Sequence, residues 1–232
     1  MSKTSGATLS NKSEFPLHPV EIVSVLTAVG LVSTHLVMFA AVLELWHWST
    51  VAVVLLGLVV ADFVSGVLHW AGDTWGDEDT PWIGRWFVRP FRFHHSHPLD
   101  MLKSNFFTTN GDTALASLPF LLIPFALPLE TTTVRLVAVL LASVGAWGMW
   151  TSQFHRWAHM KSPPRVAAWL QRRGLILRPE HHRRHHKVPF IANYCITTGW
   201  CNPVLTAIGF FPAMEWLLSR YAGLRPRNGS DS

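Results

Sequence analysis

Apolar residues along the chain gather into four runs. Val20–Leu45 has only Glu21, His35 and Glu44 as ionisable residues, and Val51–Trp70 has one carboxylate, Asp62. Thr113–Leu129 is broken by Pro119, Pro124 and Pro128, whereas Val134–Gln153 has no proline. A helix needs about 20 largely apolar residues to cross a bilayer. Three runs meet this length, and the proline-bearing third predicts a short or kinked span. The first run is too long for a signal-peptide core and follows nineteen mostly polar residues, so it reads as a retained anchor. The pattern predicts an all-α integral membrane protein with a four-helix transmembrane bundle over residues 20–224. A polar tail precedes it at 1–19, and a disordered tail follows at 225–232.

Composition agrees. Charged residues are 14% and hydrophobic residues 49%, and the charged share is well below the roughly 25% of soluble chains. Charge then sets an orientation. With four spans, 18 of the 19 Lys and Arg fall on one side, and only Arg135 lies elsewhere. The positive-inside rule places that side, with both termini, in the cytoplasm. A pI of 9.7 and the cluster Arg172, Arg173, Arg183, Arg184 and Lys187 could suggest nucleic acid. Beside a bilayer they fit anionic head groups or an acidic protein partner instead, so no nucleic-acid partner is expected. Cys195 and Cys201 lack metal-ligand spacing and read as free thiols. There is no Gly-rich phosphate loop and no dinucleotide fingerprint.

The chemistry lies in histidines just outside the apolar runs. Ten of thirteen fall into four groups: His69, then His94, His95 and His97, then His155 and His159, then His181, His182, His185 and His186. All four lie at or on the side expected to be cytoplasmic. Asp62, Ser65, His69 and Asp73 form one helical stripe, and Trp147, Thr151, His155 and His159 form another. An ionisable residue within a membrane segment is costly. Asp62 is therefore read as accepting a hydrogen bond from a ligand histidine, with Asp73 in a similar supporting role; a structural bond to a neighbouring helix is the other reading. Histidines at i and i+4 can chelate one ion, although a lone pair at a helix end is often only interfacial. Arg156 occupies the position of a zinc protease's glutamate, which excludes that class. His181 with His185 and His182 with His186 make two pairs on adjacent faces of one helix, suited to two nearby ions. The competing reading is a basic face lying on phospholipid. Any of His94, His95 and His97 could serve as a ligand. His18, His35 and His47 stand alone and are read as structural or interfacial.

Eight or more imidazoles exceed one zinc site. The absence of accompanying Cys excludes an iron–sulfur cluster, and few carboxylates argue against the Glu-rich di-iron bundle. Two iron ions in a histidine-rich centre, with O2 as co-substrate, fit best.

Several segments carry a more specific signal: Asp62–Gly76, Arg89–His95, Asn110-Gly-Asp112, Gln153–His159, His181–His186 and Tyr194–Trp200. Together they resemble the plasmanylethanolamine desaturases, also called the Kua or CarF-like lipid desaturases, from about Asp62 to Trp200. The family includes a plant desaturase acting on phosphatidylglycerol acyl chains. The resemblance implies an iron- and O2-dependent enzyme that converts 1-O-alkyl ether phospholipids to the vinyl ethers called plasmalogens. It implies metal ligands at His69, His94, His95, His155, His159, His181, His182, His185 and His186. The chain departs from the family pattern at His97, where Asp is usual, and near Gly174, where a further histidine is often found. The alkyl chain is expected in an apolar channel between helices, with the phospholipid head group at the basic face. Two electrons must come from an external donor such as cytochrome b5 or a ferredoxin. The membrane would be the endoplasmic reticulum or a bacterial inner membrane. An acyl-lipid desaturase or hydroxylase is the nearest alternative. A non-catalytic metal-binding membrane protein is the alternative from another class.

Overall fold

The computed structural model of the protein describes residues 17–42 and 47–227. Most of the polar N-terminal tail and the last five residues lie outside these. Among the described residues the structure is helical, with no strand. The first two apolar runs form α1 (Pro19–Val42) and α2 (Trp48–Thr74). The 27 residues of α2 span about 40 Å at 1.5 Å per residue. A π-helical turn at Gly84–Val88 leads into α3 (Arg89–Ser96).

The third run is short and broken, as its prolines predict. α4 (Phe106–Leu122) begins seven residues earlier, capped by Asn105, whose Oδ1 accepts the N–H of Phe107 and Thr108. It ends in a 3-10 turn, Ile123–Ala126, where Pro124 has no N–H to continue the ladder. His35 Nε2 donates to the freed Leu121 carbonyl at 2.7 Å, and its ring stacks between Phe39 and Phe125. This lone histidine closes a helix break and has no part in the other histidine groups.

The fourth run is also divided. α5 (Thr132–Gly148) and α6 (Thr151–His159) flank a tight turn in which the Trp150 N–H bonds to the Trp147 carbonyl. Thr113 Oγ1 donates to the Met149 carbonyl at 3.1 Å, which compensates for the interruption. The expected stripe through Trp147 and His155 is therefore bent. Among the described residues, three stretches are long and apolar enough to cross a membrane: Pro19–Ala40, Trp48–Thr74 and Thr132–His159.

α1 packs on α4, α2 on α5, and α4 on α5. Val25, Ala28, Ala114, Leu121 and Met149 fill the first interface. Small residues let the other backbones approach: a Cβ on Gly57 would lie 2.5 Å from Ser143 Cβ, and one on Gly145 would lie 2.6 Å from Leu121 Cγ. Beyond the long helices come α7 (Arg165–Arg173), α8 (Pro179–His185), α9 (Cys201–Ala207) and α10 (Phe210–Ala222). The Arg227 N–H bonds to the Thr74 carbonyl, so the start of the C-terminal tail, expected to be disordered, returns to the end of α2.

Candidate metal centre

Two groups of side chains converge where α2, α3, α6 and α8 meet. The first holds His94, His155, His159, His182 and His186. Their Nε2 atoms face one another: His155 to His182 at 2.7 Å, His182 to His159 at 2.7 Å, His182 to His186 at 2.9 Å, His94 to His159 at 3.0 Å, His94 to His186 at 3.1 Å and His155 to His159 at 3.2 Å. An imidazole nitrogen can donate only one proton, so hydrogen bonds cannot account for a closed cluster of this kind. Nitrogens about 2.1 Å from a shared ion are about 3.0 Å apart at right angles and about 3.4 Å apart in a tetrahedron. The six spacings are of the size that shared coordination of one ion would bring about.

The second group is His69, Asp73, His95 and His185. Asp73 Oδ2 lies 3.5 Å from His69 Nε2, 3.6 Å from His95 Nε2 and 3.5 Å from His185 Nε2, and the last two nitrogens are 2.8 Å apart. Both Asp73 oxygens are buried without a hydrogen-bond partner, as is His69 Nε2. A buried carboxylate left unpaired is costly, and a cation among these four side chains would neutralise it.

Backbone carbonyls aim the rings. His69 Nδ1 donates to Tyr194 O at 3.1 Å and His185 Nδ1 to Ala192 O at 2.9 Å. A carbonyl only accepts, so both Nδ1 atoms carry the proton and both Nε2 lone pairs point into the site. Burial keeps the imidazoles neutral. It holds His94, His182 and His185 well below the ordinary histidine range, with neighbouring imidazoles adding to the effect, and it lowers His95 and His186 to about 4. Neutral imidazoles at physiological pH are the ligating form.

Local sequence explains the sharing. α3 sends His94 to the first group and its neighbour His95 to the second. α8 sends His182 and, at its end, His186 to the first and His185 to the second. α6 supplies His155 and His159 at helical spacing, and α2 supplies His69 and Asp73.

Four sequence-derived assignments change. His181, expected as a ligand, lies in neither group; it sits on the first turn of α8, and its Nδ1 is 3.1 Å from where a Cβ on Gly199 would stand. His97 is exposed, stacked on Phe93 and bonded to Ser96 Oγ. Asp73 joins the second group directly instead of supporting a ligand from behind. Asp62 bonds no histidine. Its Oδ1 accepts the N–H groups of Thr197, Thr198 and Gly199 at 3.1, 2.7 and 2.9 Å, and its Oδ2 accepts that of Cys201 at 3.0 Å. The carboxylate was readable as functional from its cost in the membrane, but its partners lie about 135 residues away, beyond any local pattern. Asp62 thus holds the segment that follows Tyr194, whose carbonyl meets His69. Gly174 caps α7 with φ +67 and receives Trp200 Nε1 on its carbonyl, away from both groups.

Two supporting residues carried no ligand signature in the sequence. Arg156 Nη1 donates to Ser104 O and Thr109 Oγ1, and its Nη2 donates to Leu102 O, tying α6 to the start of α4. Asn110 Nδ2 donates to Gln153 Oε1 at 3.1 Å, two positions before His155. An apolar cleft of about 170 Å³ between α2, α4 and α5 has Leu68, Phe91, Phe120, Val144 and Ile196 on its walls and reaches His155.

The sequence of the chain matches known proteins. Residues 58–229 match the lipid desaturase domain. The plasmanylethanolamine desaturase of Myxococcus xanthus is 44% identical over 194 residues, covering 81% of this chain and 69% of that protein. Plasmanylethanolamine desaturase 1 of Mus musculus is 37% identical over 215 residues, covering 88% and 78%. Fatty acid desaturase 4, chloroplastic, of Arabidopsis thaliana is 36% identical over 179 residues, covering 75% and 53%. No solved structure matches the chain. With the domain spanning most of its length and two buried groups able to hold metal, the chain belongs to the lipid desaturase family and is an oxidoreductase acting in lipid metabolism.

Proposed function

We propose that the protein is a di-iron membrane desaturase that introduces the vinyl-ether double bond into 1-O-alkyl ether phospholipids. The observation that carries this reading is the division of His94 from His95, and of His185 from His186, between two adjoining ligand groups. Such a division suits two ions held side by side. Imidazole suits iron, zinc and copper, but five converging nitrogens exceed the usual four-coordinate zinc. Bound iron would supply O2 activation, which no amino-acid side chain provides for an unactivated C–H bond. The ligands would be His94, His155, His159, His182 and His186 at one ion, and His69, Asp73, His95 and His185 at the other. The chain's own part is orientation and exclusion of water. The apolar cleft reaching His155 would receive the alkyl chain. α1, α2, α4 with its 3-10 turn, and α5 would form four spans, with both termini and the centre on the cytoplasmic side. An external one-electron carrier of the cytochrome b5 or ferredoxin type would deliver the two electrons.

Expression in a host that makes ether lipids but no plasmalogens tests this. Lipid mass spectrometry should show vinyl-ether phospholipid with the wild type and none with His185→Ala. A new double bond confined to ester-linked acyl chains would replace this reading with acyl-lipid desaturation. Bound metal with unchanged lipids would replace it with a non-catalytic role.

A further inference from the structure

The chain that follows α8 runs down along α2 and then back up it. His69 Nδ1 meets the Tyr194 carbonyl, and a Cβ on Gly66 would stand 3.2 Å from the Cys195 nitrogen. Ser65 Oγ accepts the Ile196 N–H at 3.1 Å, and Asp62 accepts those of Thr197, Thr198 and Gly199. Cys201 Sγ donates to the Val59 carbonyl at 3.5 Å. The partners on α2 thus step from His69 to Val59, ten residues or about 15 Å along the helix. α10 makes the return. Phe210 packs edge-on against Phe63, Glu215 accepts from Trp70 Nε1 at 2.9 Å, and the Arg227 N–H reaches the Thr74 carbonyl.

α2 sets the depth of this path. Val59 and Asp62 flank the middle of its apolar run, residues 51–70. With α2 across a bilayer, the descending leg therefore ends near the middle of the hydrocarbon. The surface of the returning leg suits that place. Over residues 203–217 every exposed residue is uncharged, with Val204 61%, Ile208 66% and Trp216 60% exposed. Glu215 is the one carboxylate in this stretch, and it is bonded to Trp70. Exposed charge returns at Arg220, beside the ring pair Trp216 and Tyr221, which are residue types of the membrane–water boundary.

The descending leg is not helical. Such a backbone lasts in hydrocarbon only where protein satisfies its polar groups. Here Ser65 and Asp62 do so, and Asn202 joins them: its Oδ1 accepts the Cys195 N–H and its Nδ2 donates to the Cys195 carbonyl, both at 2.9 Å. This gives the carboxylate inside the apolar run a use that offsets its cost.

We propose that residues 194–224 form a re-entrant hairpin. It enters the leaflet beside the histidine centre, reaches the middle of the bilayer at the start of α9, and leaves on the same side along α10. Its exposed face lies against the acyl chains of that leaflet. The 13 residues of α10 are too few to cross, since a span needs roughly 17. The proposal rests on α2 as a span and is independent of the reaction at the centre.

The test begins with the wild-type chain in phosphatidylcholine vesicles that contain a phospholipid with a diazirine at the end of one acyl chain. After irradiation, adducts are mapped by mass spectrometry. They should fall on α9 and the first half of α10 at a level comparable with α2. They should be absent from α7, although Val166 and Trp169 are exposed there. Impermeant maleimide then reads sidedness in sealed vesicles, with single cysteines added to the native chain. Wild type and Ile208→Cys should stay unlabelled until detergent is added, and Arg225→Cys should label from the same side as Lys161→Cys. Adducts on α7 as strong as those on α9 and α10 overturn the proposal, because any exposed apolar face would then react. Absence of adducts from α9 and α10 also overturns it. In that case labelling of Ile208→Cys in intact vesicles puts the face in water, and continued protection puts it under protein, such as a second copy of the chain. Labelling of Arg225→Cys from the side opposite Lys161→Cys overturns the return and makes the segment a full crossing. An α2 free of adducts removes the proposal together with the span it rests on, while the lipid products decide the desaturase reading separately.

Discussion

At the scale of single residues, the two acidic side chains of α2 have opposite jobs. Asp73 faces three imidazole nitrogens with no other partner. Asp73→Asn should therefore remove one ion and spare the other, taking iron content from about two to about one per chain, because the five-histidine group lacks this residue. Elemental analysis of purified protein reads this directly, and two ions retained in the variant would dismiss Asp73 as a ligand. Asp62 instead holds four backbone N–H groups. Asp62→Asn leaves one oxygen and loses the charge, so stability should fall by about 1.5–3 kcal/mol. Metal loss should begin at the His69 group, whose ring is aimed by the adjoining segment. Loss from the five-histidine group first would contradict that route. His181→Ala and His97→Ala should keep full metal content, whereas His182→Ala and His155→Ala should not. His35→Ala should lower thermal stability at the α1–α4 contact and leave metal content intact.

At the scale of elements, α3 and α8 are held by the site as much as they build it. Their imidazoles are buried neutral, with His95 and His186 lowered to about 4 and His94, His182 and His185 well below their usual value. In the unfolded chain these groups titrate near 6.5. Above that pH they are neutral in both states and contribute no pH dependence. As the pH falls from about 6.5 toward 4, the unfolded chain takes up protons that the folded site refuses, so stability is lost across this window. The melting temperature of metal-free protein should fall steadily over that range, and a flat profile would mean the rings are more hydrated than their burial implies. These pairings were only partly legible in the sequence. The i,i+4 spacing of His155 with His159, and of His182 with His186, gave the elements and their shared faces. His181 has the same spacing from His185, yet it lies on the turn where α8 begins, and helical periodicity alone does not show which face meets a partner.

At the scale of the whole molecule, the apolar runs foretold the long helices because burial in lipid imposes a length that composition reveals. The prolines of the third run announced the break at Pro124, where a distant histidine completes the hydrogen bonding, whereas the break at Met149–Trp150 was less visible, since a threonine side chain compensates for it. The proposed four-span topology depends on the short α4 and its 3-10 turn reaching the far side. A single cysteine at Thr132, the exposed first residue of α5, in an otherwise cysteine-free chain, should label only from outside the cytoplasm. Labelling from the cytoplasmic face would break the topology and would separate α6 from the other ligand helices by a hydrocarbon layer about 30 Å thick. The division of neighbouring histidines between the two groups has a further result. Because His94 is bonded in sequence to His95, and His185 to His186, orienting either helix for one ion orients it for the other. Filling of one group should therefore favour filling of the other: a titration of metal-free protein should rise sigmoidally, and this steepness should vanish in Asp73→Asn, where only the five-histidine group loads.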